Sequence, residues 1–531
     1  MINYEQFNIT DDHSTNIRKA LEYCKEHKAD GLIFNKGIYD LYDDFASEKF
    51  YTMSNHGFNN LKRIGFLLEG MENFTIDGGG SEFVAHNCLM TFVVEKCKNI
   101  TLKNFSIYME HTMLLFGKVT AVDETGFNVE VLNGQPYYIE GNVLRFNELG
   151  YDLKYSYHMA RSKEGSHNFE PYSRCFFDKD LSFTDLGKDK FRVENSKAHF
   201  ELNDYCIFAP LCRHTSDIYL KSSNDTLIEN VTLHRSKTMG VIAEKCENIT
   251  IDHLIVTPKE GEYFSLNQDA THFIHCKGLV EVKNSLFEEQ LDDALNIHGI
   301  FTRIVKVEKN YIIVKYMHYG AKGLNIYDKG SRFQVLNPKT LIPYGKYTIK
   351  DVEVINIDYT KIYVEGGTEG IIEGDDIEDI TWVCDLKFTN NIVRNNRARG
   401  ILIAAGGNVF IDHNYFSTPG TAILFESDGQ YWFESGGTNH VAIENNTFEN
   451  CKLCNIGWGT AVIEVKPREE FDGEHYYHKY IQVTNNTFKS NNARLVLADN
   501  IEKFVFKDNI IEKQQYGIGK ILNCGEVDTD F

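Results

Sequence analysis

The sequence predicts an all-β fold, a parallel β-solenoid interrupted by two inserted antiparallel β subdomains. Three observations carry this. A short phrase recurs nine times, an alternating apolar strand followed by an Asn-containing turn and a further apolar residue, first seen from Asn99 to Ile107. Taking the last strand residue of each copy gives Leu102, Ile228, Ile251, Val282, Phe388, Ile411, Ile443, Val483 and Phe506, and three of the intervals are 23 residues, Ile228 to Ile251, Phe388 to Ile411 and Val483 to Phe506. Such a period, with apolar residues alternating inside each copy, is that of a solenoid whose coils complete one another's hydrogen bonds. Composition agrees: 8 Pro against 36 Phe and 29 Tyr suits many strands joined by polar turns.

From the N-terminus, Ser14 or Thr15 is placed to cap a helix whose apolar residues Ile17, Ala20, Leu21 and Cys24 share one face. That helix would cover the open end of the first coil. The Asp77-Gly78-Gly79-Gly80 turn lies in an early coil. Two intervals exceed any loop, Leu102 to Ile228 and Val282 to Phe388, and both contain alternating strands such as 127–131 and 311–316. The resulting division is 1–110 for the cap and first coils, 111–220 for an inserted β subdomain, 221–299 for the central coils, 300–383 for a second insertion, and 384–531 for the C-terminal coils. Both insertions are expected to be barrel-like. Cys97, Cys246, Cys276 and Cys384 fall at similar coil positions and read as stacked, buried free thiols. Cys451 and Cys454 have metal-like spacing but no accompanying second pair, so zinc and redox chemistry are not expected. Asn390, Asn445 and Asn485 share one register and read as a ladder of turns.

The formal charge of −21, from 76 Asp plus Glu against 55 Lys plus Arg, excludes whole classes of partner. No basic stripe exists to displace counterions from nucleic acid, and an anionic membrane is an equally poor match. No apolar run approaches the roughly 20 residues of a membrane helix. The first residues lack the profile of a secretory leader, and the twelve Cys form no compact framework. A reduced, cytoplasmic setting is expected, or a secreted or periplasmic one where a leader has been removed. A homodimer is left open.

The stretch Glu288 to Gly299 stands apart. Leu295 and Ile297 point inward and Asn296 and His298 outward, so Asp292 and Asp293 sit at the turn feeding a polar face. Asp269 precedes Asp292 by 23 residues, which sets it beside Asp292 on the neighbouring coil, about 4.8 Å away. Three crowded carboxyls do not all ionise easily, and the most crowded keeps a proton near neutrality, as a general acid must. A calcium site and a turn capped by Asp side chains are the alternatives at this point.

These residues resemble glycoside hydrolase family 110, the α-1,3-galactosidases. The resemblance rests on Gln290-Leu291-Asp292-Asp293-Ala294-Leu295-Asn296-Ile297-His298-Gly299, on Asp269 one coil earlier, and on the long β insertions. It implies a right-handed parallel β-helix that removes terminal α-linked galactose with inversion, using no cofactor and no metal. Asp292 would be the proton donor, and Asp269 and Asp293 the acceptors that activate water. Adjacent coils suggest the short spacing of retaining enzymes, about 5 to 5.5 Å, whereas inverting ones hold their acids about 6.5 to 9.5 Å apart; the resemblance implies inversion nonetheless. The partner would be a galactose-terminated glycan, of blood group B or linear α-galactosyl type. Candidate sugar-binding residues are Asn296, His298, Glu244 at the His298 register of an earlier coil, Arg399 at the Asp293 register of a later one, and Trp432 and Trp458 as stacking platforms. The rival readings are a polygalacturonase-like hydrolase, for which downstream Gly-His-Gly and Arg-Ile-Lys motifs are lacking, a calcium-dependent lyase, and a non-catalytic glycan-binding solenoid.

Overall fold

The computed structural model describes residues 1–56, 60–148, 151–161, 175–178, 180–197, 199–211, 213–452 and 459–531. Its body is a parallel β-helix in which each coil contributes strands to three ladders; in chain order, the first includes Leu89–Glu95, Ile218–Lys221, Val241–Glu244 and Thr271–Ile274, the second Cys384–Thr389 and Val409–Asp412, and the third Ile392–Arg394 and Tyr415–Ser417. All nine residues picked out by the repeat lie in one of them: Leu102, Ile228, Ile251, Val282, Phe388, Ile411, Ile443, Val483 and Phe506 pair successively, in register. Leu32 and Ile76 extend the column at one end and Thr529 at the other. Inward residues stack like on like. Phe287, Phe388, Phe416, Phe448, Phe488 and Phe506 form a file of rings 5.0–6.2 Å apart, and Cys97, Cys246, Cys276 and Cys384 are buried free thiols.

The helix His13–Glu26 closes the N-terminal end, burying Ile17, Ala20, Leu21 and Cys24 in the solenoid core. Its cap is Asp12, whose carboxylate accepts from the backbone N–H groups of Ser14 and Thr15. The expected caps are therefore the first residues of the helix, because a carboxylate two residues ahead reaches their amides.

The turn between the second and third ladders explains the recurring Asn. Asn390, Asn445 and Asn485 have φ of 56°, 55° and 57°, the left-handed region that Asn tolerates best among residues with a side chain. The ladder proper is one residue further on and buried. Backbone N–H groups of Ser285, Asn391, Asn414, Asn446 and Asn486 each donate to the side-chain oxygen of the next coil's Asn, at 2.9–3.0 Å. Asn446 also donates to the carbonyls of Ile411 and Glu444.

The second insertion is a closed barrel. The strand Leu295–Glu308 leaves the coil and runs on unbroken into it, and pairing proceeds through Tyr311–Lys315, Tyr359–Val364, Pro343–Val354, Arg332–Leu336 and Asp376–Asp379 back to Leu295–Glu308. Its core continues onto outward residues of the first ladder, Met90, Val93, Tyr219, Ile242 and Ile274. The first insertion carries a seven-stranded antiparallel sheet, in the order 175–176, 157–161, 205–209, 115–123, 126–131, 190–194 and 182–187, plus a three-stranded one. Among the described residues that sheet does not close on itself, unlike the expected barrel. It packs on the solenoid through Phe116, Met159 and Ile207 against Phe264 and Leu291. The two insertions thus roof neighbouring parts of one coil face.

Replacing Asn446 with Ala leaves the buried Asn414 amide without its acceptor and removes the side chain's bonds to the Ile411 and Glu444 carbonyls, and is expected to cost about 3 kcal/mol. Asn445→Ala, which strains the left-handed turn and removes only an exposed hydrogen bond to Asp412, should cost about 1 kcal/mol. Urea unfolding of the two variants beside the wild type checks the order, and equal losses would contradict the ladder.

Candidate active site

The site is built on the first ladder, where Thr271–Ile274, the start of Leu295–Glu308 and Ile401–Ala404 pair in parallel. Thr271 faces Leu295, an offset of 24 residues rather than 23. Continued two residues back, this register stacks Asp269 on Asp293, and Asp293 on Arg399. Asp269 was expected beside Asp292, and the one-residue difference in coil length moves it onto Asp293 instead. The Asp293 amide donates to Asp269 Oδ1 at 3.3 Å, and its carbonyl accepts from the Ala270 amide.

Each carboxyl has a different environment. Asp293 is fully buried and gripped by Arg399, with Nη2 2.7 Å from Oδ2 and the Nε and backbone N–H groups donating to Oδ1 at 3.1 and 3.0 Å. Asp269 is buried, and its Oδ2 lies 2.7 Å from His272 Nδ1. Asp292 is the open member, its side chain 21% exposed and Arg397 Nη2 3.8 Å away. Oxygens of all three lie within 4.8 Å of one another. Such a group could hold a cation, yet both oxygens of Asp269 and of Asp293 already have hydrogen-bond or ion-pair partners within the protein, which leaves Asp292 as the free ligand.

Burial, and then the charge of Asp292, push the Asp269 carboxyl up to about 8, with Arg213 and Arg399 opposing. Burial raises Asp293 as well, but here Arg399 is the largest opposing influence. A guanidinium on both oxygens makes Asp293 the first of the pair to ionise, so the proton belongs to Asp269. Burial falls on Asp269 and Asp293 and raises both, and Arg399 sets the order within that pair.

Above the acids is a cavity of about 210 Å³, lined by Asp269, Asp292, His272, Asn296 and Arg399 from the coils, Asn55 and Arg213 from flanking loops, and Glu426, Asp428, Trp432, Glu434 and Arg468 from the 426–468 region. Asn296 and Trp432 are thus where the sequence expected them, and Arg399 lines the wall while paired to Asp293. His298 points outward as expected but lies behind the cavity, its Nε2 3.2 Å from His272 Nε2. Glu244 does not reach the cavity. The barrel covers it, and its carboxyl accepts from the Ser54 amide and the Tyr219 hydroxyl, which ties down the loop that carries Asn55. Trp458 lies outside the described residues. His272 could have been found by register, since it faces Asn296 on the next coil; Arg213, Glu426, Asp428, Glu434 and Arg468 lie outside the repeat and carried no periodic signal.

A parallel β-helix holding three acids on one coil face is the class of protein defined so far, and comparison with known proteins narrows it. Residues 340–529 match a family model described as a right handed beta helix region. Alpha-1,3-galactosidase B of Phocaeicola vulgatus is 30% identical, with 95% of this chain and 88% of that protein covered. Alpha-1,3-galactosidase A of Shewanella woodyi is 29% identical, with 95% and 84% covered, and alpha-1,3-galactosidase B of Bacteroides fragilis is 29% identical, with 93% and 88% covered. The chain belongs to the α-1,3-galactosidase family.

A raised carboxyl makes folding stability fall as pH climbs from the unfolded value, about 4, through the folded value of about 8. Asp269→Asn removes this liability, while its amide still donates to His272. The variant is expected to be more stable than wild type by roughly 2 kcal/mol at pH 8 and equal to it near pH 4. Thermal or urea unfolding at both pH values checks this, and a difference independent of pH would contradict it.

Proposed function

We propose that the protein is an exo-acting α-1,3-galactosidase, a glycoside hydrolase that removes terminal α-1,3-linked galactose from blood group B or linear α-galactosyl glycans. The observation that carries this is the position of Asp292. It stands in the wall shared by the 210 Å³ cavity and an adjoining one of about 100 Å³, lined by Tyr157, Met159, Phe177, Leu211 and Arg397. A general acid must touch the oxygen joining two sugars, so galactose would occupy the larger, polar cavity and the departing saccharide the smaller one beneath the first insertion. Trp432 lines the larger cavity, and its ring would supply an apolar platform for a sugar face.

The charges favour a neutral sugar. Arg399 is committed to Asp293, and Arg468 to Glu426 and Asp428. Arg213 is the remaining lining cation, and with Glu434 and Asp292 facing the same space the cavity has no excess of positive charge to hold a uronate, which counts against a polygalacturonase-like reading.

In the proposed mechanism Asp292, protonated when substrate binds, gives its proton to the leaving oxygen, while Asp269, ionised and backed by Asp293, takes a proton from a water behind the anomeric carbon as the water's oxygen bonds to that carbon. The short spacing of the acids by itself resembles that of retaining enzymes. Hydrogen bonding argues for inversion: a nucleophile must swing away from its partners to bond carbon, and Asp269 and Asp293 are each held at both oxygens.

Asp292→Asn is expected to lower release of galactose from α-1,3-galactobiose by at least about 10³-fold with the fold intact. Loss should be smaller with p-nitrophenyl α-galactoside, whose leaving group needs little protonation. Retained turnover of the disaccharide would sink the assignment, and glycan binding without turnover by wild type would favour a non-catalytic module. Proton NMR of early product should show β-galactose first; α-galactose first would make Asp292 a nucleophile and the enzyme retaining.

A further inference from the structure

Behind Asp269 lies a chain of groups that the reaction as described does not use. Asp269 Oδ2 is 2.7 Å from His272 Nδ1, His272 Nε2 is 3.2 Å from His298 Nε2, and His298 Nδ1 is 2.7 Å from the carbonyl oxygen of Gly299. All three side chains are at least nine-tenths buried. The carbonyl at the far end only accepts, so His298 Nδ1 must carry a hydrogen. That single constraint orders the rest.

If Asp269 were ionised and both imidazoles neutral, two bare ring nitrogens would face each other at 3.2 Å. The chain is satisfied only with one further proton, which can reside on Asp269, on His272 or on His298; burial disfavours the charged His272, which leaves two arrangements. In the first, Asp269 is protonated and donates to His272 Nδ1, while His272 Nε2–H donates to His298. In the second, the Asp269 O–H bond breaks as an N–H bond forms at His272 Nδ1, and the His272 Nε2–H bond breaks as one forms at His298 Nε2. Asp269 is then a carboxylate, His272 is neutral again, and His298 is an imidazolium with Glu434 Oε1 3.6 Å away. The Asn55 amide nitrogen, 3.5 Å from His272 Nε2, can donate to it only in the second arrangement, where that nitrogen is bare, and then weakly.

We propose that His272 and His298 are positioning residues that form, with Asp269, a proton relay in which His298 stores the proton that Asp269 must release before it can act as base. The inference rests on reading Asp269 as a base. Burial, and then His298, hold the His272 imidazole down to about 3, so it passes a proton on and does not keep it. Asp292, Arg213 and Glu434 also act on His272, Asp292, Arg213 and Arg399 on Asp269, and His275 and His318 are the other titratable groups near His298. Glu434 lies on the strand that pairs antiparallel with Gly299–Ile300, so the counter-ion is fixed to the relay's end by backbone hydrogen bonds.

The test is ¹⁵N NMR of the full chain labelled at histidine, comparing wild type with Asp269→Asn at pH 7 and assigning His298 by its absence in His298→Gln. The expected result is a His298 Nε2 resonance displaced towards the imidazolium value in wild type, because the proton held by Asp269 exchanges onto it, and one at the neutral value in Asp269→Asn, whose amide donates to His272 and has no proton to release. A neutral His298 in both proteins overturns the relay. Kinetically, His298→Gln should raise the acid limb of the kcat profile by about one pH unit, a loss of about tenfold on that limb, with KM little changed; an unshifted profile also overturns it. The NMR comparison needs no turnover, so absence of hydrolysis by wild type would count against the galactosidase reading and not against the relay.

Discussion

Coil-to-coil hydrogen bonding in register is the constraint on which everything else in this molecule depends. Parallel strands about 4.8 Å apart force each residue to sit over its counterpart in the next coil. Where counterparts are Phe or Asn, the repetition stabilises: rings stack, and each buried Asn satisfies the amide above it. Where they are carboxyls, the same repetition works against folding. Asp269 over Asp293 is a like-charge column inside the protein, and it is tolerated because the next residue in that column is Arg399 and because burial leaves Asp269 its proton.

The insertions supply the second half of the electrostatics. A solenoid face is ordinarily solvated, and carboxyls there would titrate near their usual values. Here the barrel continues the hydrophobic core outward over Val93, Tyr219, Ile242 and Ile274, and the first insertion seals the other side through Phe116, Met159 and Ile207. Asn296 and His298 point away from the solenoid interior and are still only 5% and 6% exposed. Low polarity around Asp269 and Asp293 raises both carboxyls and makes every nearby charge count for more, which is how Arg399 separates the two.

Rigidity follows from the same architecture. The column from Asn391 to Asn509 ties five successive coils beneath the 426–468 region that bears Trp432, Glu434 and Arg468, and the Asp428 carboxylate fixes the backbone of Gln430, Tyr431 and Trp432. The irregular segment that bears Trp432 is thereby held by a side chain of its own, and the coils it springs from are held by the Asn column.

The repeat, its register and the Asp-Asp motif are local or periodic properties, and the sequence by itself determined them: inward and outward residues alternate, equal intervals mark equivalent coil positions, and Arg399 and Glu244 could be aligned with Asp293 and His298 by counting. Coil length near Asp269 was misjudged by one residue, because period counting has no means of distinguishing 23 from 24 when a bulge intervenes. Only the tertiary structure decided which outward residues were covered and by what. Glu244 became a tether under the barrel, His298 moved behind His272, and Arg213, Glu426 and Glu434 entered the cavity from segments with no period. Burial is a property of what packs on top, and the pieces that pack on top of this face come from parts of the chain tens to hundreds of residues away.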